Sequence, residues 1–429
     1  MAQRGIREYD GKKILFDGLA KTMPSFKGRS EKLALVTPAT DPKELLAANP
    51  WLKHEKLVAK PDQLFGKRGK NGLVYVNKTW DEVWKWISER MNKTVTVVGS
   101  TGKTTGELTH FLIEPFTPHK DEEEGYVAIR SYREFDTIYL SSKGGIHVEE
   151  NWDQVKETKV PVLSDIKDVK LELPDFGKYN GAVTEFVKGL YQIYCAGNFS
   201  YLEINPFTFG AKGEIVPLDL VARVDDTGAF ESRKMWGNIE FPSSFGQKLT
   251  KEEAYIRDLD SKTGASLKLT ILNPNGRIWN MVAGGGASVI YADTVCDLGF
   301  SKELANYGEY SGDPSTEFTY LYAKTILDLM TRHTDPRGKI LTIGGGIANF
   351  TDVAKTFKGI IMALKEYKQK LIDNKVKIYV RRGGPNYQEG LANMRRLGET
   401  LGVPIEVYGP ETHMTAVVSM ALCPEKCGK

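Results

Sequence analysis

Two apolar runs that each end in three consecutive glycines constrain the second half of this chain more than any other feature. Arg277-Ile278-Trp279-Asn280-Met281-Val282-Ala283 leads into Gly284-Gly285-Gly286 and a helical segment. Ile340-Leu341-Thr342-Ile343 leads into Gly344-Gly345-Gly346 and a helical pattern carrying Val353, Phe357, Ile360, Ile361 and Leu364. Val376-Lys377-Ile378-Tyr379-Val380 and Ile405-Glu406-Val407-Tyr408 repeat the plan. Strands buried on both faces must be apolar throughout, and parallel neighbours need a helical crossover, so the pattern predicts a flavodoxin-like, doubly wound parallel sheet. Such sheets take ligands at the carboxyl ends of their strands, where these glycines stand.

Up to about residue 245 the texture differs. Lys56-Leu57-Val58-Ala59-Lys60, Gly72-Leu73-Val74-Tyr75-Val76, Thr137-Ile138-Tyr139-Leu140 and Glu214-Ile215-Val216-Pro217-Leu218 read as strands of an α+β domain. One helix is well marked: Thr79 precedes Glu82 at capping-box spacing, and Trp80, Trp84, Ile87 and Met91 follow at helical intervals as a core stripe. A chain of 429 residues exceeds what one core supports. The polar stretch from Ser243 to Lys251 divides it into units of residues 1–245 and 246–429.

Charge excludes some functions. With 58 Lys+Arg against 55 Asp+Glu, interspersed and without a basic block, no nucleic-acid partner is expected. The charged N-terminus lacks a signal peptide's apolar core, and no apolar run approaches a membrane span, so a soluble, cytoplasmic protein is expected. Cys195, Cys296, Cys423 and Cys427 fit neither a zinc site nor a disulfide framework and read as reduced thiols.

Val97-Val98-Gly99-Ser100-Thr101-Gly102-Lys103-Thr104-Thr105 looks like a phosphate loop but fails on spacing, because Val97 stands where the first glycine is needed. A better nucleotide constellation is dispersed. Lys60 ends a strand before Gly66-Lys67-Arg68-Gly69-Lys70-Asn71-Gly72, whose cations suit polyphosphate. Glu114-Pro115-Phe116 reads as an extended linker able to present backbone groups to an adenine, with Glu122-Glu123-Glu124 beyond it as ribose ligands. Two adjacent strands would set Glu203, Asn205 and Asp219 side by side as hard oxygen donors for Mg2+. In the second unit, Gly344-Gly345-Gly346 puts Asn349 and Thr351 at a helix N-terminus, which attracts anions. Arg381 and Arg382 end the next strand, able to clamp a carboxylate.

Lys60-Pro61-Asp62-Gln63-Leu64, Leu112-Ile113-Glu114-Pro115-Phe116 and Tyr201-Leu202-Glu203-Ile204-Asn205-Pro206 followed by Asp219 resemble the ATP-grasp domain of the acyl-CoA synthetase superfamily, and within it the ATP-citrate lyase family, over nearly the whole chain. The resemblance implies ATP and Mg2+ as cofactors and CoA and citrate as substrates. It implies that Lys60, Arg68 and Gly69 meet the phosphates, Glu114 and Phe116 line the adenine hinge, Glu124 holds the ribose, and Asn205 and Asp219 bind the metal beside Glu203. It further implies that Asn349, Thr351 and Arg382 contact citrate with Gly312, Gly345, Gly346 and Tyr367 near it, and that Asp260 has a cation or structural role. His413 reads as structural.

The superfamily passes phosphate through a histidine in a Gly-His-Ala-Gly-type loop, and none of His54, His110, His119, His147, His333 or His413 has that setting. No catalytic residue is therefore expected in this chain. A partner subunit in a hetero-oligomer is expected to carry the phosphohistidine loop, the CoA-binding domain and, in a lyase, the module that cleaves citryl-CoA. The residues leave open a citryl-CoA synthetase, a succinyl-CoA synthetase β subunit and a non-catalytic citrate-sensing subunit.

Overall fold

The computed structural model describes residues 3–99 and 102–426, which form two compact units, one up to Lys248 and the other from Leu249. No helix among the described residues is long and apolar enough to cross a membrane. Cys195, Cys296 and Cys423 are free thiols, and Cys427 lies outside the described residues.

The first unit holds an antiparallel sheet in the order Gln3–Ile6, Leu220–Asp225, Phe199–Phe209, Gly125–Ser131, Phe135–Ser141, Lys156–Pro161, with Ile215–Pro217 paired to the Phe199–Phe209 strand. Its side chains alternate with the two-residue strand period. Leu202, Ile204, Leu220, Ala222 and Val224 pack into a core with helices Glu8–Leu19 and Asn180–Ala196. Tyr201 lies opposite both Arg130 and Arg223, and Glu203 lies opposite Val221, so this row belongs to the other face. A smaller antiparallel sheet runs Ala34–Val36, Phe111–Pro115, Leu57–Pro61, Tyr75–Lys78.

Against the smaller sheet lies helix Trp80–Ser88, opened by the expected Thr79/Glu82 capping box. The face it buries is Val83, Trp86 and Ile87, with Trp86 stacked on Tyr75; Trp80 and Trp84 are half-buried, and Met91 lies past the helix end. The tryptophan stripe is thus core packing, rotated from the expected face because Trp86, not Trp84, meets the sheet. The phrase resembling a phosphate loop forms an antiparallel hairpin, Thr94–Gly99 with Gly102–Glu107, and Ser100 and Thr101 lie outside the described residues.

In the second unit four parallel strands run in the order Ile278–Ala283, Ile340–Gly345, Lys377–Arg381, Ile405–Tyr408. Both faces are covered. Trp279, Met281, Leu341, Ile343, Ile378 and Val380 pack with helices Thr316–Thr331, Val353–Glu366 and Tyr387–Leu401. Ile278, Val282, Ile340 and Tyr379 pack the opposite way, with Gly285–Asp297 and Ala416–Leu422. Beside the first strand, Leu304 makes a parallel bridge to Ile278 and leads into Asn306–Ser311, which pairs antiparallel with Ser266–Ile271.

A buried side chain completes that edge. Asn306 accepts from the Asn280 amide at 2.8 Å and donates to the Asn280 carbonyl at 2.9 Å, standing in for a strand residue. Asn306→Ala should strand both peptide groups at about 1–3 kcal/mol each. The expected result, by calorimetry, is an unfolding midpoint for the second unit lower by several degrees with the secondary structure retained.

Candidate functional site

In the first unit a helix, two strands, a loop and a turn converge on one largely buried ion cluster. Helix Glu8–Leu19 supplies Glu8 and Lys12, strand Leu57–Pro61 supplies Lys60, the loop after it Arg68, strand Phe111–Pro115 Glu114, and the turn before Leu220 Asp219. Lys60 Nζ lies 2.7 Å from Glu8 Oε1 and donates to the Leu218 carbonyl at 2.6 Å, with Glu114 at 3.5 Å and Asp219 at 3.8 Å. Lys12 Nζ lies 2.8 Å from Glu8 and donates to both oxygens of Glu114 at 2.7 Å. Arg68 donates to the Pro61 carbonyl at 2.9 Å and to Asp219.

Opposite charges dominate here. Burial alone would raise the Glu8 carboxyl, yet Lys12, Lys60 and Arg68 hold it well below the usual carboxylate range. Burial works against the Lys60 ammonium too, and Glu114, Glu8 and Asp219 together push its pKa up. Asp62 accepts from the Glu8 and Tyr9 amides at 2.7 and 3.0 Å, so it caps the helix that carries Glu8.

A cavity of about 930 Å³ opens beside this cluster. Its lining includes Glu8, Lys67 and Arg68 together with Tyr201, Glu203 and Arg223 from the sheet's second face. That is the volume range of a small-molecule or cofactor site.

The structure thus brings Lys60, Arg68, Glu114 and Asp219 together. The Glu114 carboxylate is bound by Lys12, and the amide of half-buried Phe116 donates to the Lys56 carbonyl at 2.7 Å. Gly69 closes a turn through its carbonyl to the Gly72 amide, and a Cβ there would meet nothing within 4 Å. Glu124 and Asn205 meet at a different pair of glycines. Gly144 donates to the Glu124 carbonyl at 2.8 Å, Gly145 donates to Asn205 Oδ1 at 2.7 Å, and the Glu124 carboxylate lies 3.2 Å from His119 Nε2.

Glu203 and Asn205 share a sheet face two residues apart, and the Asn205 amide donates to the Asp219 carbonyl at 3.1 Å. The backbone therefore aligns these three hard oxygen donors, a set whose chemistry fits Mg2+. Their side chains are engaged elsewhere in this state, Glu203 by the Tyr201 hydroxyl at 2.7 Å and Asp219 by Arg68. Among the described residues no group of three acidic, histidine or cysteine side chains is gathered for a metal. One oxygen of Asp260 accepts from the Leu267 amide at 2.8 Å and the other from Lys268, which ties its helix to the neighbouring strand.

In the second unit the glycines at the end of Ile340–Gly345 are forced by close approach. A Cβ on Gly344 would lie 2.2 Å from the Tyr291 hydroxyl, and one on Gly345, at φ +153°, 2.6 Å from Arg382 Nη1. The two arginines differ. Arg381 donates to three carbonyls, Thr412 at 2.8 Å, Gly345 at 2.9 Å and Pro410 at 3.3 Å, which makes it a structural tie. Arg382 is 3 % exposed, donates to the Gly346 carbonyl at 2.6 Å, and leaves Nε without a partner; among the described residues no carboxylate pairs with it. Burial draws its pKa down, with Tyr310 and Tyr291 its nearest opposing influences. The Tyr310 hydroxyl is also buried without a partner, and burial pushes it up to about 12.

Near this end, Thr351 is buried and Asn349 exposed, but the helix starts at Val353 and Asp352 occupies its N-cap, accepting from the Lys355 amide. The expected free amides are therefore partly used by the chain's own carboxylate. Gly312, at φ +75°, precedes Asp313, which accepts from the Asp352 amide at 3.1 Å, so this loop reaches the same place. Tyr367 does not. It caps the C-terminal end of helix Val353–Glu366, about 20 Å from its start, with its ring in the core beneath Lys370. His413 is exposed in the turn before helix Ala416–Leu422 and bonds Thr415, a local role.

Sequence reasoning passed over Glu8, Lys12, Asp62, Tyr291 and Tyr310. A signal existed for the first two: Glu8 and Lys12 fall on one helical face with Leu15 and Leu19, and charges inside an apolar stripe need buried partners. The tyrosines, in ordinary core patterns, gave none.

The acidic groups near the helix start predict a pH effect. Burial, reinforced by Asp62, raises Asp10 from 3.8 to about 6. A carboxyl raised on folding contributes stability that is full below its unfolded value and is lost as pH rises through about 6. Asp10→Asn should therefore flatten the fall in thermal midpoint between pH 4.5 and pH 7, by a few degrees at pH 7, in scans of both proteins across that range.

Residues 2–236 match the family model described as the ATP-citrate synthase ATP-grasp domain, and residues 247–424 match the one described as ATP citrate lyase citrate-binding. The ATP-citrate synthase of Bos taurus is 51% identical over 98% of this chain, which spans 38% of that longer relative. An ATP-citrate synthase alpha chain of Oryza sativa is 50% identical, with 98% of each chain covered. A solved structure of ATP citrate lyase from Methanothrix soehngenii in complex with citrate and coenzyme A aligns with a TM-score of 0.89 and 55% identity, covering 98% of this chain and all of that one.

Proposed function

The chain belongs to the ATP-citrate synthase family, and we propose that it supplies the Mg-ATP and citrate sites of a citrate-activating enzyme of the ATP-citrate lyase type. The overall reaction converts citrate, ATP and CoA to acetyl-CoA, oxaloacetate, ADP and phosphate. One observation carries the reading: a buried guanidinium, Arg382, has no carboxylate partner among the described residues and stands at a strand's carboxyl end within the stretch matched to citrate binding. Buried charges are otherwise paired, so a polycarboxylate is the partner such a group fits. The partner-free Arg382 Nε and Tyr310 hydroxyl, with exposed Asn349 and buried Thr351, supply the donors a tricarboxylate needs. We read this unit as flavodoxin-like, supported by the strand at Asn306–Ser311 lying outside the first of the four parallel strands.

In the first unit Lys60 and Arg68 orient the polyphosphate and offset its charge. Glu203, Asn205 and Asp219 are the residues that would hold Mg2+, which when bound neutralises phosphate charge. Asp219, which now accepts from Arg68, would be one of those donors, and Arg68 would then have donors to offer the phosphates. A histidine on a partner subunit accepts the phosphoryl group and passes it to citrate, and that subunit also binds CoA. The chain's coverage of the Oryza alpha chain and of only part of the longer animal relative supports such a division. We place the complex in the cytoplasm.

With its partner, the complex should consume ATP only when citrate and CoA are both present and should release acetyl-CoA and oxaloacetate. Accumulated citryl-CoA would identify a synthetase, and equal turnover of succinate would refute the citrate site. Arg382→Ala should raise the citrate concentration for half-saturation at least about 10-fold, on the order of 1.4 kcal/mol, with the ATP dependence unchanged. Asp219→Asn should suppress phosphorylation of the partner's histidine, followed with labelled ATP, while citrate binding by calorimetry persists.

A further inference from the structure

Glu8 is the one member of the buried cluster that contacts all three cations. Its Oε1 lies 2.7 Å from Lys60 and 2.8 Å from Lys12, and its Oε2 lies 2.7 Å from Arg68 Nη2 at an angle that makes no hydrogen bond. The side chain is 2% exposed, and its backbone is held by Asp62, the residue that follows the strand carrying Lys60. A carboxylate so anchored cannot follow its partners; they must come to it.

Without Glu8, the remaining carboxylates near Lys60 are Glu114 at 3.5 Å and Asp219 at 3.8 Å, while Arg68 keeps Asp219. Both cations would close on these two acids, drawing Lys60 toward the Glu114 strand and fastening Arg68 to a metal ligand. We propose that Glu8 is a positioning residue that holds Lys60 and Arg68 apart and aimed at the polyphosphate, preventing their collapse onto Glu114 and Asp219. It acts through the two cations, and it rests on the reading of Lys60 and Arg68 as phosphate ligands. A carboxylate that only neutralised charge would behave oppositely, since its removal would strengthen binding of an anion.

The test is titration calorimetry of the full chain with Mg-ADP, and separately with citrate, for the wild type, Glu8→Gln, Lys60→Met and the double variant. Glu8→Gln should weaken Mg-ADP binding about 10-fold or more, leave citrate binding within about 2-fold, and cost distinctly less in the Lys60→Met background, where only its hold on Arg68 is left to lose, since residues acting through one another are non-additive. Tighter or unchanged Mg-ADP binding in Glu8→Gln, with Lys60→Met weakened, overturns the proposal and leaves the phosphate reading standing. Unchanged binding in Lys60→Met overturns both. Equal losses from Glu8→Gln in the two backgrounds would show a general structural effect and likewise overturn it. Should Glu8→Gln not fold, Glu8→Asp, which keeps the charge and shortens the reach by one methylene, is put through the same cycle: weakened Mg-ADP binding that is smaller in the Lys60→Met background supports the proposal, and wild-type binding or equal losses in the two backgrounds overturn it.

Discussion

Three cations and three carboxylates, of which Glu114 and Asp219 keep part of their surface in water, hold the first unit's candidate site together. Lys12, Lys60 and Arg68 face Glu8, Glu114 and Asp219, which come from one helix, two paired strands, the loop after Pro61 and the turn before Leu220. Removing one partner from such a group leaves a buried charge uncompensated, at about 3–5 kcal/mol. The constraint runs both ways. The helix at Glu8–Leu19, the strand at Leu57–Pro61 and the turn at Leu218–Asp219 must be correctly placed for the cluster to close, and once closed it fixes the wall beside the large cavity.

The two units hold their buried cations in opposite conditions. In the first, the cations are neutralised by the chain's own carboxylates, so an anion meeting them would compete with those partners. In the second, Arg382 is buried with one carbonyl and, among the described residues, no acid. A guanidinium in that condition favours a ligand that brings several carboxylates of its own. Arg381, one residue earlier, shows that the difference lies in geometry and not in residue type, because three carbonyls have already claimed it.

Much of this was legible in the residues. The apolar runs ending at Gly284 and Gly344 gave a parallel sheet because strands covered on both faces leave no polar alternation, and Trp279 and Ile278 do pack to opposite sides. The Thr79/Glu82 box marked a helix start because its spacing is a local property of one turn. Lys60, Arg68 and Asp219 were recoverable as a set by resemblance. The Lys12 partner of Glu114, 102 residues away, and the end of its helix at which Tyr367 sits relative to a distant loop are not written in local spacing.

By itself the sequence determined the alternation of strands and helices, the division into two units, the glycines that let backbone and side chains close at strand ends, and the cations available to bind anions. These follow from short-range periodicity and residue chemistry. Tertiary structure alone decided which cations are free to act. Packing assigned Glu8 to three partners, spent Asp260 on a strand amide, gave Arg381 to carbonyls and left Arg382 unpaired. A charge's availability depends on what lies within about 4 Å of it after folding, and identical side chains are made structural or functional by that neighbourhood.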